Sequence, residues 1–240
     1  MTQIKICGLR NTGHALVAAD AGADFLGFVF VEGVRRQLLL DEAARVIEEY
    51  RESQGPGGPK LVGLFADQPV DQVNRVADIV GLDRVQLCGS EGAEHWSAVD
   101  RPIFQVLHVG EPPDSTERTR AAAVTILAQR LLRLEAAEGL AILDRQSDLQ
   151  PGGLGEVFDW SLARTLADQG RRFMLAGGLT PDNVAQAIAT ARPHGVDVSS
   201  GVETDGVKDV AKIRAFVQAA REALGEVAEA ASLGVDWRQK

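Results

Sequence analysis

Two small-residue turns late in the chain carry the clearest chemical signal. Leu175-Ala176-Gly177-Gly178-Leu179-Thr180-Pro181-Asp182-Asn183 sets two glycines between a strand-like apolar run and a helical pattern. Asp197-Val198-Ser199-Ser200-Gly201-Val202-Glu203 offers a similar small-residue loop after another apolar run. Glycine lets an anion approach the backbone, and free amides at a helix start complete a phosphate cradle. Glycine also marks ordinary tight turns, so either loop alone is weak. The two together point to a phosphate grip.

Three further groups could move protons or hold an anion. The run Gln3-Ile4-Lys5-Ile6-Cys7-Gly8 alternates, so Ile4 and Ile6 share one face and Lys5 and Cys7 the other. A cation beside a thiol lowers its pKa, which would make Cys7 a base or nucleophile. A buried, inert cysteine is the other reading, and Lys5 could equally be a structural charge. Asp144 ends the apolar run Ala141-Ile142-Leu143, and no helix starts there, since Pro151-Gly152-Gly153-Leu154-Gly155 follows. That weakens the reading as a helix cap and leaves an acid at a strand end. Arg35-Arg36 fits either a solvated loop or an anion clamp.

These groups need a frame that collects them. Apolar runs rich in Val, Ile and Leu fall at residues 3–7, 25–30, 60–65, 84–87, 103–107, 140–143, 172–176 and 196–199. Helical periodicity lies between them, clearest at 41–52, 70–80, 181–191 and 208–224. Such alternation implies a parallel sheet, and this number of units fits a closed (β/α)8 TIM barrel. The reading is one domain over residues 1–240, with a C-terminal tail from about residue 225. In this fold catalytic groups sit at the C-terminal strand ends, and phosphate sites often follow strands seven and eight. Asn11 is placed to cap the first helix, and Thr180-Pro181 to start a later one with Pro at its first position. The breaker cluster Gln54-Gly55-Pro56-Gly57-Gly58-Pro59 reads as a loop at the opposite face. Residues 111–138 hold a charged, Ala/Leu-rich helix.

Composition narrows the partners. The chain's 240 residues approach the roughly 250 typical of such a barrel. A formal charge of −9 argues against nucleic acid, which needs a basic footprint. It also means that an anionic substrate must be held by backbone amides and a few placed cations. No apolar run approaches the ~18 residues of a membrane span, and residues 1–7 lack a signal-peptide pattern. Two cysteines make no disulfide framework, so a reducing cytoplasm is expected. Cys7 and Cys88 fall on strands one and four, too far apart around a barrel to bridge. His14, His95, His108 and His194 do not fall at successive inward strand ends, so no metal is read.

With these motifs assembled, the sequence resembles the phosphoribosylanthranilate isomerase family from Lys5 to about Phe216. The resemblance rests on Lys5-Ile6-Cys7-Gly8-Leu9, Gly22-Ala23-Asp24 running into Gly27-Phe28-Val29-Phe30, Val85-Gln86-Leu87, Leu143-Asp144, Gly152-Gly153-Leu154-Gly155 with Phe158-Asp159-Trp160, Gly177-Gly178-Leu179 and Asp197-Val198-Ser199-Ser200-Gly201-Val202-Glu203. The first and last, in this order and spacing, are highly specific as a set. The resemblance implies an Amadori rearrangement of an aminoaldose to an aminoketose in tryptophan biosynthesis, with no cofactor and no metal. It implies Cys7 as general base and Asp144 as general acid, with Arg36 and Asp197 positioning the substrate. It places the phosphate at the loops of Gly155, Gly177, Gly178, Ser199, Ser200 and Gly201. The implied partner is a small phosphorylated substrate, and the protein a monomer or homodimer.

Several positions depart from the family pattern. Val31-Glu32-Gly33-Val34-Arg35-Arg36 lacks the usual Pro and Ser, and Cys88 stands where His is usual. Arg145 follows Asp144 where Thr is common, and Phe104-Gln105-Val106 lacks a Lys. The competing readings are another phosphate-binding barrel isomerase or epimerase, a related aminoaldose isomerase, and a non-catalytic phosphate-binding barrel. A synthase would want a further Lys–Glu set at strand ends, and an epimerase metal-binding histidines.

Overall fold

The computed structural model describes residues 3–110, 116–145 and 160–232. Strands β1 (Gln3–Ile6), β2 (Phe25–Val29), β3 (Lys60–Phe65), β4 (Arg84–Leu87), β5 (Ile103–Val109), β6 (Leu140–Arg145), β7 (Phe173–Leu175) and β8 (Gly195–Val198) close into a barrel. Each pairs in parallel with the next, and β8 returns to β1 with Lys5 opposite Asp197. Helices α1 (Thr12–Asp20), α2 (Leu40–Gln54), α3 (Val70–Val80), α4 (Ala93–Ala98), α5 (Glu117–Ala136), α6 (Trp160–Asp168) and α7 (Val184–Ala191) lie between strands, and α8 (Val210–Ser232) follows β8. A hairpin of β9 (Glu203–Thr204) and β10 (Val207–Lys208) stands before α8. The expected TIM barrel is therefore the fold.

Strand alternation divides the apolar side chains into two cores. Ile4, Ile6, Leu26, Phe28, Val85 and Leu87 face the helices. Phe25, Val29, Val62, Leu64, Phe104, Val106, Ile142 and Met174 fill the barrel with Cys7. Each fully buried side chain of this kind contributes about 1.5–3 kcal/mol. Phe25 and Phe104 meet edge to face at 5.1 Å, and the Arg84 guanidinium lies over both rings. These residues fill the barrel near the starts of their strands and leave the other end open.

Three expectations change at element ends. β5 and β6 each run two residues beyond the expected stop, to Val109 and Arg145, because inward–outward alternation continues through Val106, Leu107, His108 and Val109. This brings His108 into register opposite Asp144. Thr180-Pro181 does not start a helix. A turn from Thr180 to Asn183 comes first, since the Asn183 side chain accepts from the Thr180 N–H at 2.8 Å and donates to the Gly178 carbonyl at 3.0 Å. The last helix does not stop at residue 224 but continues through Ser232. Asn11 caps α1 as expected, its side chain accepting from the His14 N–H at 2.9 Å.

Candidate active site

The open end of the barrel holds a cavity of about 520 Å³. β1 delivers Lys5 and Cys7 to the interior, as the alternation predicts. Lys5 is completely buried, and its ammonium donates to Asp197 on β8 at 2.9 Å. Burial opposes the Lys5 charge, but Asp197, with Cys7, more than offsets it and its pKa is raised. Lys5 pulls the Cys7 pKa down, as the alternation leads us to expect. Burial pushes the Cys7 thiol up, and the opposing pull of Lys5 does not overcome it, because Asp197 neutralises much of that cation. Cys7 and Cys88 are both free, as the strand separation predicts.

β6 carries Asp144 to the same cavity. Burial raises its carboxyl pKa, and the charge of Asp197 raises it further. His108, the Arg145 N–H and Lys5 pull the other way without cancelling the rise. A raised pKa leaves more of the carboxyl in the protonated form, which is the form that can donate a proton. Gly177 makes room for it. A Cβ there would meet the Asp144 carboxylate at 2.8 Å and the Arg145 amide at 2.7 Å, and its φ of +80° excludes most side chains.

The two small-residue loops line the cavity through Gly177, Gly178, Ser199, Ser200 and Gly201. The Gly178 N–H meets no acceptor among the described residues. Gly201 packs so closely on the Leu179 carbonyl that no Cβ fits between the loops. Because α7 starts only at Val184, the nearest amides belong to the loop itself and to the short turn Ser200–Val202. The helix-start amides expected at Pro181 lie further along.

Arg36 and Asp197 also line the cavity. The Arg36 guanidinium grips Glu203 with two hydrogen bonds at 2.6 and 2.8 Å, and Arg35 reaches the same carboxylate. Lys208 adds a third cation to Glu203 at 2.8 Å and donates to the Ser199 carbonyl. These contacts bind the loop after β2 to the loop after β8. The sequence motif contained Glu203, but its role as a hub was not legible because its partners lie far away in sequence. Gly155 and its neighbours at residues 146–159 lie outside the described residues. Every other site residue expected from sequence lines this one cavity. His108 and Gln86 line it too, both on inward strand positions that alternation alone could have selected.

Comparison with known proteins identifies the family. The pattern of the N-(5'phosphoribosyl)anthranilate (PRA) isomerase family matches residues 4–219. The chain belongs to that family. Relatives named N-(5'-phosphoribosyl)anthranilate isomerase span nearly the same length. The one from Dehalococcoides mccartyi is 41% identical over 94% of this chain and 98% of its own. The one from Roseiflexus castenholzii is 44% identical over 92% and 98%. The barrel of the Thermotoga maritima phosphoribosyl anthranilate isomerase overlays with a TM-score of 0.75 at 33% identity, covering 92% of this chain and all of that one. A second isomerase structure, in complex with reduced 1-(o-carboxyphenylamino)-1-deoxyribulose 5-phosphate, overlays with a TM-score of 0.72 at 32% identity over the same shares. Among the described residues, no helix is long and apolar enough to cross a membrane, and no group of His, Cys, Asp and Glu could hold a metal ion.

Proposed function

We propose that this chain isomerises N-(5'-phosphoribosyl)anthranilate to 1-(2-carboxyphenylamino)-1-deoxyribulose 5-phosphate, with Cys7 as general base and Asp144 as general acid. The observation that carries the assignment of roles is that both groups line one cavity together with the glycine-serine loops.

The loops Gly177–Gly178 and Ser199–Gly201 hold the phosphate through backbone amides, which needs few cations in a chain of charge −9. Asp144 gives its proton to the furanose oxygen, and the C1–O bond breaks as the arylamine nitrogen supplies electrons to C1. The resulting iminium acidifies the neighbouring C–H. The Cys7 thiolate removes that proton from C2, and the electrons move to form an enaminol, which tautomerises to the aminoketose. The iminium's positive charge also favours a thiolate beside it, offsetting the burial that disfavours one. These steps call for no metal and no cofactor. Asp197 and Arg36 position the sugar and the loop. Gly155 belongs to the phosphate grip on this reading.

We place the protein in the cytoplasm, in keeping with two free thiols, as one barrel over residues 1–240 acting as a monomer or homodimer on a small phosphorylated substrate and not on nucleic acid. Incubation of the purified protein with phosphoribosylanthranilate should abolish the substrate's fluorescence, and the gene should rescue a tryptophan auxotroph lacking this step. Folded wild-type protein that does neither would refute the reading.

A further inference from the structure

We infer that the barrel carries a second anion site beside the active site, built by Arg10, His14 and Arg35 and suited to a phosphate or pyrophosphate group. A pocket of about 280 Å³ lies between the start of α1, the loop after β2 and the β9–β10 hairpin. Arg35 and Arg36 line both this pocket and the active-site cavity, so the two share a wall. Arg10 and His14 line the outer pocket alone, and the inference does not depend on the isomerase reading.

Charge makes the case. Arg10, Arg35, Arg36 and Lys208 line the pocket against the single carboxylate of Glu203. The Glu203 side chain is only 6% exposed, and three of those cations already cover it. Four cations less one carboxylate leave a surplus of three positive charges, gathered on a chain whose formal charge is −9. Arg10 is exposed and makes no hydrogen bond or ion pair to any described residue. The Arg35 side chain is half exposed beyond its bonds to Glu203 and the Gly206 carbonyl. His14 adds a directed donor. Asn11 Oδ1 accepts from the His14 backbone N–H, so Asn11 Nδ2 is the group that donates to His14 Nδ1, at 3.0 Å. Burial and the Lys208 charge lower the His14 pKa, so the ring is neutral at pH 7. Its proton then sits on Nε2, which has no partner among the described residues. Two guanidinium groups and an imidazole N–H match a tetrahedral dianion, because each planar fork pairs two oxygens at once. The start of α1, with no acidic residue in its first turn, adds its partial positive charge. Arg35 also ties the loop after β2 to the hairpin, so an anion held here bears on the rim of the active site.

An NMR titration with inorganic phosphate, at fixed pH and ionic strength, tests the site. The ring signals of His14, identified by their loss in His14→Asn, report it, while His108 lines the active-site cavity and reports occupancy there separately. Phosphate should shift the His14 signals saturably with half-saturation at about 1 mM, and pyrophosphate should do so at lower concentration. Arg10→Gln should weaken both responses about tenfold or more, as loss of a hydrogen bond to a charged group does, and leave the His108 response within about twofold. His14 signals that stay still, that move as far with chloride, or that respond unchanged in folded Arg10→Gln would overturn the site. Phosphate shifts at His108 alone would confine the anion to the active-site cavity and overturn it too.

Discussion

The Lys5 ammonium lies 2.9 Å from the Asp197 carboxylate, fully inside the barrel. This pair joins the first strand to the last and closes the barrel with a charge as well as with a ladder of backbone bonds. It also decides how much of the Lys5 charge reaches Cys7. Removing one member of a buried pair strands the other, which typically costs about 3–5 kcal/mol. Lys5→Met should therefore destabilise the protein by an amount of that order. The double variant Lys5→Met/Asp197→Leu should recover part of the loss. Urea denaturation checks this, and a double variant no more stable than the single one would show that the pair is not coupled.

Without substrate present, Cys7 should be a thiol at neutral pH, since burial outweighs Lys5. Thiolate absorbance near 240 nm can follow it in a Cys88→Ala background. That background matters little at moderate pH, because burial pushes Cys88 up to about 12. The midpoint is expected above the ordinary thiol range of about 8.5, and higher again in Lys5→Met. A midpoint at or below that range would mean that the Lys5 charge prevails after all.

The proposed roles require Asp144 protonated and Cys7 ionised, so the active form is scarce between their two pKa values but its share there is constant. The plot of kcat/KM against pH should show a plateau. Its lower edge reports Asp144, raised above the ordinary carboxyl range, and its upper edge reports Cys7. Loss of either group should lower kcat by about 10²–10⁴. Asp144→Glu should move the lower edge and leave the upper one in place. A profile in which it moves the upper edge would reverse the assignment.

The fold and most of the site were legible because they depend on local rules. Alternation in Lys5-Ile6-Cys7 put two polar groups inside, and the structure agrees. Gly177-Gly178 and Ser199-Ser200-Gly201 stood out because close backbone approach needs small residues. What could not be read was set by pairs distant in sequence. Whether Lys5 activates Cys7 depends on Asp197, which lies 192 positions away. Glu203 becomes a hub only because the loop after β2 folds over it. His108 was hidden by a strand end placed one residue short of it, since apolar patterning stops at Leu107 while pairing continues to Val109.

Gly177 should tolerate no side chain. Its φ is +80°, and a Cβ would sit 2.8 Å from the Asp144 carboxylate oxygen. Gly177→Ala should cost about 1–3 kcal/mol in backbone strain and displace the proposed acid. Activity should fall well beyond what the lost stability explains, while Gly170→Ala, also at positive φ but with nothing near its Cβ, should cost stability alone. Melting temperature and kcat measured on both variants test this. Normal kcat in folded Gly177→Ala would show that the contact does not fix Asp144.

Glu203 should make stability depend on pH in the acid range. Its carboxylate receives Arg35, Arg36 and Lys208, which hold its pKa down at about 2 although burial alone would raise it. The folded value lies below the unfolded one, so the folded state binds this proton less readily. The stabilisation is then fully present above the unfolded value of about 4.3 and is lost as the pH falls towards 2. Its size is about 2 kcal/mol, discounted for the half-exposed Arg35. Glu203→Gln removes the titrating group and leaves three cations without their shared anion. The variant should melt lower than wild type at pH 7, and the gap should narrow steadily between pH 4.5 and 2. Binding of inorganic phosphate should weaken as well, because Lys208 also holds the Ser199 carbonyl within the phosphate loop. A gap that stays constant across that pH range would show that Glu203 is not ionised against these cations in the folded protein.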